Sequence, residues 1–327
     1  MSNAKSISDT LDKDDFILLT GRANPELANS VGRILKTEVS CPISVFSDGE
    51  IRVRIKPNLR RRIVYIIQPT SAPVNDYIME LALMADAARR ASASEIIAVM
   101  PYFGYGRQDR KEMSRVPISA AAVSSLLVNA GVDRILTIDI HSEQMEGSIS
   151  RPWDNLYGSY SLIPLLKKRK LQHLVVAAPD KNGMLRATGY AKLLEAEGVA
   201  LVYKERDVTL NNVSNTMGMI GEVKGKDVLL VDDMIDTAGT IVHAANFIKQ
   251  KGARSVRVAG THGLFSGDAL KKISESEIEE MVITDTIRPR EEVAKNKKIT
   301  IVSVAPLLAE AVRRIRTGES ISKSLIL

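Results

Sequence analysis

Short, nearly unbroken apolar runs recur along the chain, and each leads into a stretch whose apolar residues return every three or four positions. IVYIIQ (63–68) precedes VNDYIMELALMADAARRAS, in which Ile78, Leu81, Met84 and Ala88 share one helical face behind an Asn75 or Asp76 cap. EIIAVM (95–100) precedes ISAAAVSSLLVNAG, a helix that Gly131 should close, and RILTID follows. A run without apolar–polar alternation is a strand covered on both faces, and such strands belong to parallel sheets flanked by helices. Order is expected from about Phe16; residues 1–14 are polar, carry no period and read as a disordered tail.

The rhythm restarts after a Gly, Ser and Pro-rich loop near 147–164. LVVAAP, MLRATGYAKLLEAEG and ALVY come first, then DVLLVDDM, TIVHAANFIKQKG, SVRVAG and EEMVITD. At 327 residues the chain is long enough for two domains. The expected fold is therefore α/β, with two similar domains, each a mainly parallel sheet flanked by helices, at 15–155 and 156–303. ARRASASEIIAVMPYFGYG and KQKGARSVRVAGTHGLFSG share one order of basic helix end, apolar strand and glycine loop, which hints that the halves are related. The closing helix APLLAEAVRRIRTG turns Leu307, Leu308, Val312 and Ile315 inward and can pack on either domain, so 304–327 can complete the first.

Charge and cysteine content narrow the function. Forty-five Lys and Arg against 39 Asp and Glu leave a net +6, which suits phosphates without demanding nucleic acid, and no basic reading head is present. The single cysteine, Cys41, excludes an intrachain disulfide or a cysteine zinc cluster and fits a reducing compartment. No apolar run approaches the ~20 residues of a membrane span, and MSNAKSISDTLDKDD lacks the basic-then-apolar pattern of a leader, so a cytoplasmic protein with no membrane partner is expected.

Parallel sheets bind ligands beyond the carboxyl ends of their strands. The most informative end is VLLVDDMIDTAGT (228–240), a buried strand, two acids and a small-residue loop entering a helix. Asp232 and Asp233 can accept hydrogen bonds from vicinal hydroxyls. Asp236, Thr237, Ala238, Gly239 and Thr240 can offer successive backbone N–H groups and two hydroxyls to a phosphate at a helix N-terminus. The competing reading is an ordinary strand end with an aspartate cap, which the length of the ordered pattern makes the weaker one. Acids for a sugar and amides for a phosphate point to a ribose phosphate.

This segment resembles the ribosyl-phosphate-binding signature of type I phosphoribosyltransferases. FSDGE (46–50), PYFGYGRQDRK (101–111), TIDIHSEQ (137–144), KER (204–206), THGLFSG (261–267) and the tail AEAVRRIRTGESIS extend the likeness from Phe16 to the end. As a set they resemble the ribose-phosphate pyrophosphokinases, or phosphoribosyl pyrophosphate synthetases, of the phosphate-activated class. The resemblance implies transfer of the β,γ-diphosphoryl group of Mg-ATP to the C1 hydroxyl of ribose 5-phosphate, with release of AMP. A Walker loop is not needed and none is found, since Gly225 and Lys226 are followed by Asp227 and lack the upstream glycine.

By the same resemblance, Arg107, Gln108 and His141 hold ATP, and Phe46, Asp48, Gly49 and Glu50 reach it from a neighbouring subunit of a homo-oligomer, a hexamer. His141 and Asp180 match the family's Mg²⁺ positions, although imidazole suits Mg²⁺ poorly and His141 can act through water or on a phosphate oxygen. Lys204 and Arg206 match a cationic pair for the transition state, Arg206 also touching ribose 5-phosphate, on a lid formed with DVTLNNVSN; a solvated charge run is the alternative. Inorganic phosphate and ADP are implied effectors. The rival function is a noncatalytic homologue that regulates an active synthetase, against which the intact Arg107, Gln108, Lys204, Arg206 and 236–240 speak.

One loop departs from the family pattern. After Asp180 the family has two glycines two positions on, whereas this chain has Lys181, Asn182 and Gly183. Asn tolerates positive φ, and Lys181 is either an extra polyphosphate contact or a solvent-facing change. Elsewhere, His173 and His243 read as structural or exposed, His262 as a strand end beside GLFSG, Cys41 as a small apolar residue, and Trp153 as packing at the domain junction.

Overall fold

A computed structural model describes residues 15–206 and 215–321, apart from the side chains of 204–206 and 215–216. The expected tail 1–14 and most of the expected lid fall outside the described residues. In chain order the first part holds β1 (Phe16–Thr20), α1 (Pro25–Leu35), β2 (Val39–Ser40), β3 (Ile43–Val45), β4 (Ile51–Val53), β5 (Ile63–Ile67), α2 (Val74–Arg90), β6 (Glu95–Met100), α3 (Ser119–Ala130), β7 (Arg134–Ile138) and β8 (Trp153–Leu156). Then come α4 (Ser159–Lys168), β9 (Val175–Ala178), α5 (Met184–Leu194), β10 (Gly198–Arg206), β11 (Asn215–Ile220), β12 (Asp227–Ile235), α6 (Gly239–Gln250), β13 (Ser255–Gly263), α7 (Ala269–Ser274), β14 (Glu280–Thr284), α8 (Glu291–Ala294), β15 (Ile299–Val302) and α9 (Ala305–Thr317).

Two compact units result. The first runs to Tyr157 and takes back Thr286–Arg288 and the chain from Ser303; the second is Gly158–Asp285 with Pro289–Val302. The first is built on a parallel sheet in the order β2-β1-β5-β6-β7-β8, the second on β11-β10-β9-β12-β13-β14-β15, parallel except for β11. Set aside β11 and the β3–β4 hairpin, and both sheets run second, first, third, fourth, fifth, sixth strand in chain order. The topological switch point, where crossovers leave in opposite directions, thus lies between β1 and β5 in one unit and between β9 and β12 in the other.

The unbroken apolar runs are buried because both sheet faces are covered. In the first unit Leu18, Tyr65, Ile97 and Leu136 face one cluster, while Leu19, Val64, Ile96 and Ile135 face the other. The former cluster includes Leu27, Val31 and Leu35 of α1 and Leu307, Leu308 and Val312 of α9, all nearly inaccessible, so α9 packs in the first unit. In the second unit Val175, Val228 and Val256 face one cluster, and Val176, Leu229 and Ala259 the other.

Ile78, Leu81, Met84 and Ala88 form the buried face of α2, and Gly131 ends α3 with φ of 122°. Three local expectations need correction. The N-cap of α2 is Pro73, without a side-chain cap bond; Asn75 sits inside the first turn and turns its side chain elsewhere. The segment 147–164 contains β8 and the start of α4, because four residues suffice to extend a sheet whose neighbour β7 already fixes the register. Trp153 lies in the first unit's core, donating its indole N–H to Thr137 Oγ1 at 2.9 Å and meeting the Phe103 ring at 5.3 Å.

The first unit's switch point is filled. Glu80 of α2, with no exposed surface, takes hydrogen bonds from Arg22 N (2.9 Å), Arg22 Nε (2.5 Å) and Gln68 Nε2 (2.8 Å). Gly21 is required there: a Cβ would lie 2.5 Å from Glu80 Oε2. At the opposite, amino edge of the second sheet, Asp227 accepts from Arg254 Nε (2.8 Å) and Nη2 (2.6 Å), Ser255 Oγ (2.7 Å) and Gln172 N (2.8 Å). These bonds, Arg254's first, hold its pKa well below the ordinary 3.8. Asp227→Ala should therefore lower unfolding stability by about 1–3 kcal/mol at neutral pH, a figure moderated by the partial exposure of Arg254. The folded pKa lies below the unfolded one, so the deficit should be complete above the unfolded value of 3.8 and shrink as pH falls through the folded value, measured by urea unfolding against pH.

Candidate active site

The second unit's switch point is open, and the pairing pattern explains why. β12 stays in register with β9 only as far as Leu230 opposite Ala177, but with β13 as far as Ile235 opposite Gly263. From Val231 onward one edge of β12 has no strand beside it among the described residues, and Asp232 and Asp233 lie on this overrun. Gly260 of β13 lets the overrun lie close, since a Cβ there would stand 2.9 Å from Ile235 Cγ1.

Asp232 Oδ1 accepts from Asp233 N at 2.9 Å, and Arg186 Nη1 stands 3.6 Å from Asp233 Oδ1 and 4.0 Å from Asp232 Oδ1. Burial, and then the adjacent Asp233 charge, push the Asp232 pKa well above 3.8, with Arg186 pulling the other way. A quarter of the Asp232 side chain is still exposed, so it can meet a ligand. Arg186 was not found by sequence reasoning. Its signal was an arginine in the first turn of MLRATGYAKLL, one helix turn beyond the Asp180 loop.

β12 then delivers the loop Asp236–Thr240 to the start of α6. Ala238 takes the left-handed conformation (φ 59°, ψ 2°), which costs an L-residue about 1–2 kcal/mol, and α6 begins with no side-chain cap on its first amides. Among the described residues a Cβ on Gly239 would meet only Thr237 Oγ1, at 3.9 Å, which leaves room on this face of the loop. The result is a row of backbone N–H groups at a helix N-terminus with acids on one side, suited to an anion carrying a polyol.

β9, between β10 and β12, ends at Ala178, and Asp180 follows two residues later. Its Oδ1 accepts Asn182 N (2.9 Å) and Gly183 N (3.1 Å), closing a 3-10 turn over Lys181–Gly183. Asn182 does not use positive φ, so its backbone needs no glycine. Lys181 and Asn182 are exposed, and neither side chain bonds to the described residues. On the other side of β9, positions 204 and 206 lie on the β10 backbone, paired with Met217 and Asn215 of β11. The side chains of Lys204 and Arg206, and residues 207–214, lie outside the described residues.

In the first unit the segments after β6 and β7 bring Arg107, Gln108 and His141, all exposed, to the carboxyl edge of neighbouring strands. Gln108 is fixed at both backbone ends, its N–H donating to Tyr105 O (3.0 Å) and its carbonyl accepting from Ala120 N (3.2 Å), and its Oε1 accepts from Ser119 Oγ. Phe46, Asp48, Gly49 and Glu50 form the tip of the separate β3–β4 hairpin, turned at Gly49 (φ 95°) and closed by Phe46 N to Glu50 O (2.9 Å) and Glu50 N to Asp48 Oδ1 (3.1 Å). Phe46 is 49 % exposed, with the Arg52 guanidinium 5.8 Å from its ring. His262 is a buried residue of β13, His243 is exposed on α6, and exposed His173 pairs with Glu197 at 2.6 Å.

Among the described residues no group of three or more His, Cys, Asp and Glu is arranged to hold a metal, and no helix is long and apolar enough to cross a membrane.

Comparison with known proteins covers most of the chain. Residues 16–131 match the model of the N-terminal domain of ribose phosphate pyrophosphokinase, and 199–325 that of the phosphoribosyl synthetase-associated domain. Ribose-phosphate pyrophosphokinase of Neisseria meningitidis serogroup A is 46 % identical over 312 residues, 94 % of each chain. That of Vibrio cholerae is 47 % identical over 310 residues, 94 % of this chain and 98 % of its own. The crystal structure of phosphoribosylpyrophosphate synthetase from Mycobacterium smegmatis superposes with a TM-score of 0.87 at 35 % identity, covering 93 % of this chain and 99 % of that one.

The crowded acid pair should have a measurable cost. Because Asp232 binds its proton more tightly folded than unfolded, its ionisation removes stability as pH rises from 3.8 through the raised value. Asp232→Asn should melt at a higher temperature than the parent at neutral pH, with the gap closing toward about pH 4. A variant that melts at or below the parent at neutral pH would contradict this account of the pair.

Proposed function

The chain belongs to the ribose-phosphate pyrophosphokinase family, and from that membership we propose how its residues carry the family's reaction. It transfers the β,γ-diphosphoryl group of ATP to the C1 hydroxyl of ribose 5-phosphate, a step in making nucleotides. The hydroxyl oxygen bonds to the β phosphorus, the link from that phosphorus to the α-phosphate oxygen breaks, and AMP and 5-phosphoribosyl 1-pyrophosphate leave with release of the hydroxyl proton. One observation carries the residue assignment: the overrun of β12 sets an acid pair beside an uncapped helix N-terminus at an open switch point.

In this reading the 5-phosphate rests on the backbone amides and hydroxyls of Asp236, Thr237, Ala238, Gly239 and Thr240, where the α6 dipole favours an anion. Asp232 and Asp233 accept the ribose hydroxyls, and Arg186 limits the repulsion between them. Arg107, Gln108 and His141 hold the nucleotide, joined by Phe46, Asp48, Gly49 and Glu50 of a neighbouring subunit in a homohexamer. Lys204 and Arg206 supply positive charge to the transferring group, Arg206 also meeting the sugar phosphate. No covalent intermediate is required, since charge spread over phosphoryl oxygens is stabilised by placed cations.

Magnesium fits this residue set at one position better than the other. Asp180 is exposed, and its Oδ2 takes no hydrogen bond from the described residues, leaving a hard oxygen of the kind Mg²⁺ prefers. His141 offers nitrogen and is better assigned to a phosphate oxygen or a bound water. Mg²⁺ commonly takes one or two carboxylates plus substrate phosphates and water, so a full protein cage is not needed. When bound it neutralises polyphosphate charge. Inorganic phosphate and ADP are the effectors proposed, and the cytoplasm the compartment.

Purified protein given Mg-ATP and ribose 5-phosphate should form AMP and the pyrophosphorylated sugar in equal amounts, faster with added phosphate. Failure to form AMP under every condition would return the noncatalytic regulator. Lys204→Ala should lower kcat by about a thousandfold, equivalent to ~4 kcal/mol of transition-state stabilisation, with an unchanged melting temperature; near-normal turnover would remove Lys204 from this role.

A further inference from the structure

The segment that presents Arg107 and Gln108 is held by three anchors, one of which reaches back to α2. The Thr70 hydroxyl, wholly buried, accepts from Gly104 N at 2.7 Å, and the chains approach so closely that a Cβ on Gly104 would lie 2.4 Å from Thr70 O. Next in sequence, Tyr105 is left-handed (φ 66°) and donates its hydroxyl to Asn75 Oδ1 at 2.7 Å. The third anchor is the start of α3, which fixes Gln108 through Ala120 N and Ser119 Oγ.

An aromatic residue in the left-handed region is strained and persists only where the surroundings over-determine it. Here the strained residue is also the acceptor for Gln108 N, so the Tyr105 backbone sets the turn that carries Arg107. Asn75 is free to act because Pro73, not Asn75, occupies the N-cap of α2. We propose that the Tyr105–Asn75 hydrogen bond is a latch that positions Arg107 and Gln108 for the nucleotide, making both residues positioning rather than catalytic groups. The latch rests on the assignment of Arg107 and Gln108 to ATP made above.

Steady-state kinetics on the full chain with each substrate varied in turn test it. Tyr105→Phe and Asn75→Leu should each raise KM for ATP about three- to tenfold, the range expected for one hydrogen bond, while KM for ribose 5-phosphate and kcat stay within about twofold. The double variant should be no worse than either single one, and Asn75→Asp, which keeps an acceptor oxygen, should restore KM for ATP. Unchanged KM for ATP in both single variants, equal changes for both substrates, or additive losses would overturn the latch. Arg107→Ala separates the two levels. If it leaves KM for ATP unchanged the nucleotide assignment itself falls, whereas if it raises KM and Tyr105→Phe does not, only the latch falls.

Discussion

A parallel strand that outruns its neighbour leaves backbone and side chains with no strand beside them, and the candidate site exists because β12 does this. While β9 and β12 run together, their side chains are apolar and fully covered. Once β9 has ended at Ala178, β12 goes on with Asp232 and Asp233, and its last residues lead into the left-handed Ala238 and the bare start of α6. The acid pair, the amide row and the Asp180 turn all follow from where two strands stop pairing. None needs a dedicated domain or a long binding loop.

The two units use one strand order for opposite ends. Between β9 and β12 the crevice holds two carboxylates and one arginine at 3.6–4.0 Å, loosely enough to accept a ligand. Between β1 and β5 the corresponding place is plugged by Glu80, Gln68 and Arg22 at hydrogen-bonding distance, with Gly21 pressed against the carboxylate. A buried carboxylate that has satisfied its oxygens internally resists opening, because removing any partner leaves a charge without solvent. The residues proposed to face the nucleotide in the first unit lie further along, after β6 and β7.

Much of this was legible in the sequence, for reasons that can be named. Unbroken runs such as EIIAVM and DVLLV read as strands because covering both sheet faces removes any need for alternation. The pattern 228–240 was readable because strand, acids, loop and helix are contiguous. Shorter elements escaped: β8 and β15 have four residues each, too few for a period to show, and they are strands because a neighbour's open edge recruits them. Arg186 escaped because its meeting with Asp232 and Asp233 joins positions far apart in sequence. Residue type points to Asn75 or Asp76 as the cap, whereas Pro73 fits that position through its missing N–H and fixed φ, which leaves the asparagine side chain to Tyr105.

The return of α9 to the first unit bears on how the molecule comes into being. Ribosomes make this chain from its amino end, and Leu27, Val31 and Leu35 emerge nearly three hundred residues before Leu307, Leu308 and Val312, which cover them. The second unit's strands all appear earlier than that covering helix, so the half begun first is the half finished last. Throughout that interval α1 has the first sheet to pack on but lacks the cover that α9 supplies.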